Sequence, residues 1–476
     1  MSNQQSQLSL TPLQHLQNRF AIIDLSGAIR LVDQQQIADL LKGRVKSDVS
    51  YYQKADGNLI MQRLLESLPL PGPPKRVIED FWPSPLTVFF NATAFNPLPT
   101  PATTLNFWVG HAPDPKPGIW VEIRDYLFKV LCAGDAQLYE YLIHYLAHMV
   151  QRPEEKPGVM IVLLGGQGTG KGVYFSLLRA IWPITTLQVS KIDQVVGKFT
   201  SALERNYIIC MDEALFAGDR QAIDNLKSIV TEQYLHIEQK FQPSRTIESV
   251  HRIFAASNHE HFAHVEADDR RFVFLRVSNI HQQDTKYFST IAAAISNPDT
   301  IKALIYYLKR KDISKFNVRI KPKTTEQLSQ KIKSLQGFER FWYEVLCTGD
   351  LKGIGNTSNP WVTSIFVPSI ELVDNYKEYN KAAEKYQPLQ ASQIQEAITR
   401  VCPSAITGVR ESVTDWLKKL HQRRGIRLPS LNEARTDFST YIGESLVWDD
   451  VVTTQDSLVC EDTDLTPADL SFLELN

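Results

Sequence analysis

Apolar runs and polar punctuation alternate along the chain in patterns that separate strands from helices. The stretch GVMIVLLGGQGTGKGVYFSLLRAIW, 158–182, opens with a short β-rich run, breaks into glycines and resumes with apolar residues at helical spacing. That order predicts a strand, a glycine-rich loop and a helix. YIICMDEA (207–214), HRIFAASN (251–258) and RFVFLRV (271–277) are short apolar runs of the kind that forms buried strands. LHIEQKFQPSRTIESV, 235–250, divides into two β-like halves around Lys240, Phe241, Gln242 and Pro243, which predicts a hairpin. Near the start, FAIIDLSGAIRLVD reads as two strands turning at Ser26-Gly27. Between Val121 and Gln151 the spacing predicts two packed helices, separated by a turn and cap at Ala133-Gly134-Asp135.

Proline-rich stretches, LPLPGPPK and NPLPTPATT, suggest a boundary near residue 105, because few packed elements cross such segments. The pattern gives an N-terminal accessory domain (1–105), a helical lead-in (106–155), a nucleotide-binding α/β domain (156–318) and a mainly helical C-terminal domain (319–448). In the last of these, DWLKKLHQRRGIRLPSL reads as a helix plus a basic turn, with Trp416, Leu417 and Leu420 beside Lys418, Lys419, Arg423, Arg424 and Arg427. Such a segment suits a winged-helix-like DNA reader or a solvated basic face. From Asp449 onward the chain has eight acidic residues and no Lys or Arg, the composition of a solvated, disordered tail (449–476).

Composition narrows the class. With 476 residues, several domains are expected. Lys plus Arg (51) and Asp plus Glu (53) nearly balance, so any nucleic-acid site is local. Cys132, Cys210, Cys347, Cys402 and Cys460 lack CxxC spacing, which argues against a zinc ribbon or a disulfide framework and fits a reducing cytoplasm. No run of about 18 apolar residues occurs, and no signal-peptide pattern opens the sequence, so neither a membrane span nor secretion is expected.

The candidate chemistry centres on the glycine loop. Gly165, Gly166, Gln167, Gly168, Thr169, Gly170 and Lys171 match GxxxxGK, in which loop N–H groups wrap phosphates, Lys reaches the β and γ oxygens, and the following helix adds its positive end. Gly172 stands where the usual pattern has a magnesium-binding hydroxyl, which leaves open a site that binds nucleotide without hydrolysing it. Asp212 and Glu213 end a buried strand, placed to hold Mg²⁺ and activate water; solvated acids at a strand end are the ordinary alternative. Asn258 ends the next strand, where its amide can contact a γ-phosphate or simply form a turn. Arg270 and Arg271 can reach a neighbouring subunit's γ-phosphate as an arginine finger, or pair with Asp268 or Asp269. Lys240 and Phe241 offer a cation for phosphate and a ring for base stacking, the chemistry of single-strand DNA binding; a plain exposed hairpin is the alternative.

In this order and spacing, GGQGTGKG, ICMDEA, the Lys240 hairpin, Ser257-Asn258 and DDRRF resemble the superfamily 3 helicases, especially the helicase portion of phage and plasmid primase-helicases. The segment LNFWVG…YLFKVLCAGD…YLIHYLAHMVQRPEEKPG is similar to the lead-in of that branch. The resemblance covers roughly residues 80–320 and implies an AAA+-type P-loop core, ATP and Mg²⁺ as cofactors, and a homo-hexameric ring with nucleotide between subunits. It further implies a hairpin, carrying Lys240 and Phe241, that grips single-stranded DNA in a central channel, and an arginine finger at Arg270 or Arg271. Relatives often carry a primase-polymerase domain ahead of the helicase. The first hundred residues here are too short and too poor in paired acids for one, so a separate primase or polymerase is expected. The function expected is therefore an ATP-dependent replicative helicase of a phage or mobile element in a bacterial cytoplasm. The rival is an ATP-switched initiator that binds and melts origin DNA without processive unwinding.

Overall fold

In the computed structural model the chain is described at residues 10–44, 49–68, 72–111, 113–197, 200–213, 220–238, 244–259, 262, 269–351, 361–382, 389–414 and 420–448. It forms two compact units, 1–334 and 335–476. The sequence pattern places its boundaries elsewhere, at 105/106, 155/156 and 318/319.

The first unit opens with helix α1 (Pro12–Arg19) and the antiparallel strands β1 (Phe20–Leu25) and β2 (Ala28–Asp33), which turn at Ser26-Gly27 as the pattern predicts. Gly27 takes a φ of 88°, and its N–H donates to Asp24 Oδ1 at 2.6 Å, a side-chain-closed turn. Helices α2 (Gln34–Leu41), α3 (Lys54–Leu65) and α4 (Pro74–Phe81) follow, then the short strands β3 (Phe89–Phe90), β4 (Ala92–Ala94) and β5 (Thr104–Asn106). Ala21, Ile23 and Leu25 share one hydrophobic cluster with Phe107, Tyr126 and Leu142. Next come α5 (Val121–Asp125), a π-helical segment at Tyr126–Leu131, and α6 (Ala136–Gln151), capped by Asp135. The turn predicted at Ala133-Gly134-Asp135 is present, with positive φ at Ala133 and Gly134, but the π-helix before it has no signature in the pattern.

The centre of the unit is a parallel sheet. Strand β6 (Met160–Leu164) leads to α7 (Lys171–Ile181), β7 (Thr186–Val189), α8 (Asp193–Val196), β8 (Ile208–Asp212) and α9 (Arg220–Thr231). The antiparallel hairpin β9 (Tyr234–Ile237) and β10 (Arg245–Glu248) precedes β11 (Arg252–Ser257) and β12 (Phe272–Arg276). The sheet order is β12-β6-β11-β8-β7, every pair parallel. Residues alternate between its faces, as a pleated strand requires: Ile161 and Leu163 of β6 enter the cluster with α6 and α7, whereas Met160, Val162 and Leu164 meet α9 and the hairpin. Strands buried on both faces read as continuous apolar runs, which is why β6, β8, β11 and β12 were legible in the sequence, whereas the half-exposed edge strand β7 was not. Helices α10 (Thr285–Ser296), α11 (Pro298–Arg310) and α12 (Thr325–Ser334) complete the unit. Its last helix is tied back by Arg276 Nε donating to Glu326 Oε2 at 2.7 Å and by the Phe262 N–H donating to Gln330 Oε1 at 3.2 Å.

The second unit contains α13 (Gly337–Thr348), β13 (Ile365–Pro368), α14 (Ser369–Ala382), α15 (Ala391–Val401), β14 (Ile406–Thr414), β15 (Leu420–Leu428) and α16 (Leu431–Ile442). The antiparallel sheet has the order β13-β15-β14. This corrects the expectation of a helix plus basic turn over 415–431: residues 420–428 are a central strand, and 415–419 lie outside the described residues. The reason is tertiary. Ile426 and Leu428 are buried, as are Trp342 and Phe438 of the same unit, and Gly425 is required because a Cβ there would lie 2.3 Å from the Val367 carbonyl oxygen. The acidic tail, 449–476, also lies outside the described residues.

At the N-terminal edge of the parallel sheet, burial sets the charge state of two histidines. His251 is held by the Ser249 hydroxyl at Nδ1 (3.0 Å) and the Leu203 carbonyl at Nε2 (2.8 Å), an arrangement that a neutral ring satisfies. Burial, with nearby Lys156 and Arg252, pushes its pKa down to about 4, and burial beside Arg252 does the same to His148. An unfolded chain protonates these rings as pH falls through 6.5, whereas the folded chain resists until about 4. Their contribution to stability is therefore complete above that window and lost as pH falls across it. Melting temperatures measured from pH 7.5 to 4.5 should drop more steeply for the wild type than for His251→Gln; equal slopes would show that this ring does not couple to folding.

Candidate functional site

The C-terminal ends of β6, β8 and β11 converge because these strands are parallel neighbours. Residues that follow each of them in sequence therefore meet at one edge. Lys171, the first residue of α7, is only 7 % exposed. Its Nζ donates to the Gly165 carbonyl (2.7 Å), the Gly166 carbonyl (2.7 Å) and Asn258 Oδ1 (2.6 Å). The Asn258 amide in turn donates to Glu213 Oε1. Three residues separated by up to 87 positions thus form one hydrogen-bonded chain, Lys171 to Asn258 to Glu213. Burial lowers the Lys171 pKa, against the opposing pull of the Glu213 and Asp212 carboxylates.

Glu213 adopts a φ of 54°, a left-handed conformation that a residue other than glycine takes at a cost of about 1–3 kcal/mol. Its N–H donates to the Ala256 carbonyl at 3.0 Å, which fixes the strand exit and turns the side chain toward Asn258. Asp212 faces the other way along the edge: its Oδ2 accepts from Gln188 Nε2 at 3.0 Å, and Gln188 Oε1 accepts from Arg179 at 2.5 Å. The two neighbouring carboxylates therefore have different partners and different orientations.

The glycine loop is held by its carbonyls. Besides the two taken by Lys171, the Gly166 carbonyl accepts from Thr169 Oγ1 (2.9 Å), Gln167 from Gln282 Nε2 (2.9 Å), Gly168 from the Gln283 N–H (2.9 Å) and Gly170 from the Tyr126 hydroxyl (3.0 Å). The loop is thus held in place by contacts from α7, from the segment after β12 and from Tyr126. Gly170, at φ 98°, admits no side chain, because a Cβ would lie 2.4 Å from the Phe288 ring. Gly172 is different: a Cβ there meets nothing within 4 Å, so the missing hydroxyl is not excluded by space. Thr169 is buried and its hydroxyl is committed to Gly166.

Tyr126, Arg179, Gln188, Gln282, Gln283 and Phe288 support this site without any local motif to announce them, because their partners lie far away in sequence: Gln282 reaches Gln167 across 115 positions and Tyr126 reaches Gly170 across 44. Among the described residues no group of three or more His, Cys, Asp or Glu is placed to hold a metal ion. Asp212 is the carboxylate available to one, and a magnesium ion suits a site that supplies one or two carboxylates and leaves its remaining positions to phosphate and water.

Arg270 and Arg271 lie at the opposite edge of the sheet. They precede Phe272, which pairs with Met160 at the start of β6, while the glycine loop leaves β6 after Leu164. Five residues of strand separate the two edges by ~15 Å. Arg270 is exposed; the Arg271 N–H donates to Asp269 Oδ1 at 2.8 Å, its guanidinium lies 3.5 Å from Asp269 Oδ2, and its Nε is buried with no hydrogen-bond partner among the described residues. The Asp269 pairing raised from the sequence is thus present; Asp268 lies outside the described residues, as do Lys240 and Phe241, which fall between β9 and β10 in sequence. No described helix is long and apolar enough to cross a membrane.

Comparison with known proteins places this geometry in context. A model of a family of unknown function, DUF5906, matches residues 163–271, from β6 through the glycine loop to Arg271. The DNA primase-polymerase of Nitratiruptor phage NrS-1 is 27% identical over 149 residues, which are 31% of this chain and only 21% of that protein's length. Two apo structures of the NrS-1 C-terminal region match with TM-scores of 0.59 and 0.60 at 15% identity, covering 89% and 88% of this chain and 99% and 100% of theirs. The chain therefore has a mixed α/β fold with a parallel sheet, similar to that of the NrS-1 C-terminal region.

Proposed function

We propose that this chain is an ATP-hydrolysing DNA motor of the superfamily 3 helicase kind, acting in the replication of a phage or related mobile element. The observation that carries the proposal is the hydrogen-bonded chain from Lys171 through Asn258 to Glu213 beside a loop whose carbonyls are tied off. Such an edge offers a cation and N–H dipoles to a triphosphate, with a carboxylate near its terminal phosphate. The sheet order β12-β6-β11-β8-β7 and the similarity to a phage DNA primase-polymerase support the same reading.

In this scheme Lys171 exchanges its carbonyl partners for phosphate oxygens. Asn258 then links two events, because it contacts both the lysine and Glu213, the carboxylate that takes a proton from the attacking water. Asp212 would hold Mg²⁺, oriented by Gln188, and the ion would neutralise charge on the β and γ oxygens. Arg270 and Arg271 stand about a strand length from their own loop, so a finger role requires a neighbouring subunit's site, the arrangement of a ring. With DNA in the channel of a homo-hexamer, hydrolysis moves the β9–β10 hairpins along one strand.

A second reading, an ATP-switched initiator that binds duplex origin DNA, is favoured by the C-terminal unit. Its element order, helix-strand-helix-helix-strand-strand with the sheet order β13-β15-β14, suits a winged-helix-like domain. Arg410 of the long hairpin lies directly opposite Arg424, and neither forms an ion pair among the described residues, while the neighbouring Arg423 lies opposite Glu411. Like charges facing each other across strands destabilise a hairpin unless an anion accompanies them.

ATP turnover, measured with and without single-stranded DNA, should be stimulated by DNA in the wild type and fall at least about a hundredfold in Lys171→Ala and Glu213→Gln. Wild-type turnover in both variants dismisses the assignment. Replacing Arg423 and Arg424 with Ala should weaken duplex binding and flatten its salt dependence, by about one unit in the log–log slope for each phosphate that the protein ceases to neutralise. Unwinding of any forked substrate identifies the motor, whereas melting confined to one sequence identifies the initiator.

A further inference from the structure

If the glycine loop holds a triphosphate, the sheet order fixes which way the nucleoside leaves it. Lys171, Asn258 and Glu213 engage the terminal phosphate, and the last two come from β11 and β8, on one side of β6. The nucleoside end must then lie over the other side, toward β12. The segment that follows β12 occupies that place: the Val277 N–H donates to the Leu164 carbonyl and the Ser278 N–H to the Val130 carbonyl, each at 2.8 Å, before Gln282 and Gln283 bond the loop itself.

This segment carries an aromatic layer continuous with the loop. Phe288 packs on Gly170, Tyr287 meets Phe288 edge to face with centroids 5.3 Å apart, and His281 stacks on Tyr287 at 3.7 Å with an interplanar angle of 1°. Asp284 locks the pair, accepting from the Tyr287 N–H at 2.9 Å and lying 3.1 Å from His281 Nδ1. The imidazole side chain keeps 31 % of its surface exposed, so the stack is open to solvent rather than closed in the core. A planar, pre-ordered ring pair at a partly open site loses little side-chain entropy on receiving a third ring.

We propose that His281 and Tyr287 form the platform on which the nucleobase of the bound nucleoside triphosphate stacks. The proposal rests on the nucleotide reading of the glycine loop and assigns the base end of that same site. Base–aromatic stacking corresponds to roughly a five- to hundredfold change in affinity.

The test is calorimetric titration of the full chain with a non-hydrolysable adenosine triphosphate analogue and, separately, with inorganic tripolyphosphate, both with magnesium. His281→Ala and Tyr287→Ala should weaken the analogue at least about fivefold and leave tripolyphosphate unchanged, while Tyr287→Phe, which keeps the ring and its packing on Phe288, should bind both as the wild type does. Unchanged analogue binding in His281→Ala and Tyr287→Ala overturns the platform while leaving the phosphate site intact. Parallel loss of both ligands also overturns it, since the pair would then only brace the loop. Lys171→Ala separates the two levels: it should lose both ligands, and full retention of both would remove the nucleotide reading and this proposal with it.

Discussion

A lysine ammonium buried at the end of a parallel sheet must find acceptors, and in this chain it finds them on two elements at once. Leaving such a group unpaired costs far more than an ordinary hydrogen bond contributes, so its three partners are a constraint on the fold. The carbonyls of Gly165 and Gly166 must curl back over the start of α7, and Asn258 must reach across from β11. The same amide then holds Glu213, whose left-handed backbone is fixed by Ala256. Nearly everything distinctive about the edge follows from satisfying that one cation without a carboxylate bonded directly to it.

The parts of this arrangement that sit next to one another in sequence were legible there. Strands buried on both faces announce themselves as apolar runs, and Asp212 at the end of β8, Glu213 and Asn258 just past β8 and β11, and Lys171 after the loop from β6 fall at one edge once the strands are parallel. What holds them was not legible. Tyr126 reaches Gly170 from a π-helical turn, and Gln282 and Gln283 reach the loop from beyond β12, contacts that span 44 to 115 positions and leave no periodic trace. The C-terminal strand β15 misled for a different reason. Its exposed half, Leu420 to Arg424, is mostly polar and basic like a helix surface, and only pairing with β14, continued by β13 at Gly425 to Leu428, makes it a strand.

The opposite edge of the sheet holds two further cations. Arg252 is fully buried; its Nε donates to the Tyr207 hydroxyl (3.0 Å) and its Nη2 to the Arg152 carbonyl (3.1 Å) at the end of α6. Lys156 donates to the carbonyls of Ile229 and Glu232 and to the Ser249 hydroxyl. Both cations sit where helices end, the position that a helix dipole favours for positive charge. A cavity of about 700 Å³ lies here, lined by His148, Lys156, Ser249 and Arg319 among others.

Lys156 also bears on the hairpin. Glu232 lies just before β9 and Ser249 just after β10, so one ammonium fastens both ends of the hairpin to the N-terminal edge of the sheet. A two-stranded hairpin is marginal by itself, and this one is anchored at its base and by Leu235, Ile237 and Ile247 in the core beneath. The base of the hairpin is therefore fixed to the sheet both by hydrogen bonds and by apolar packing.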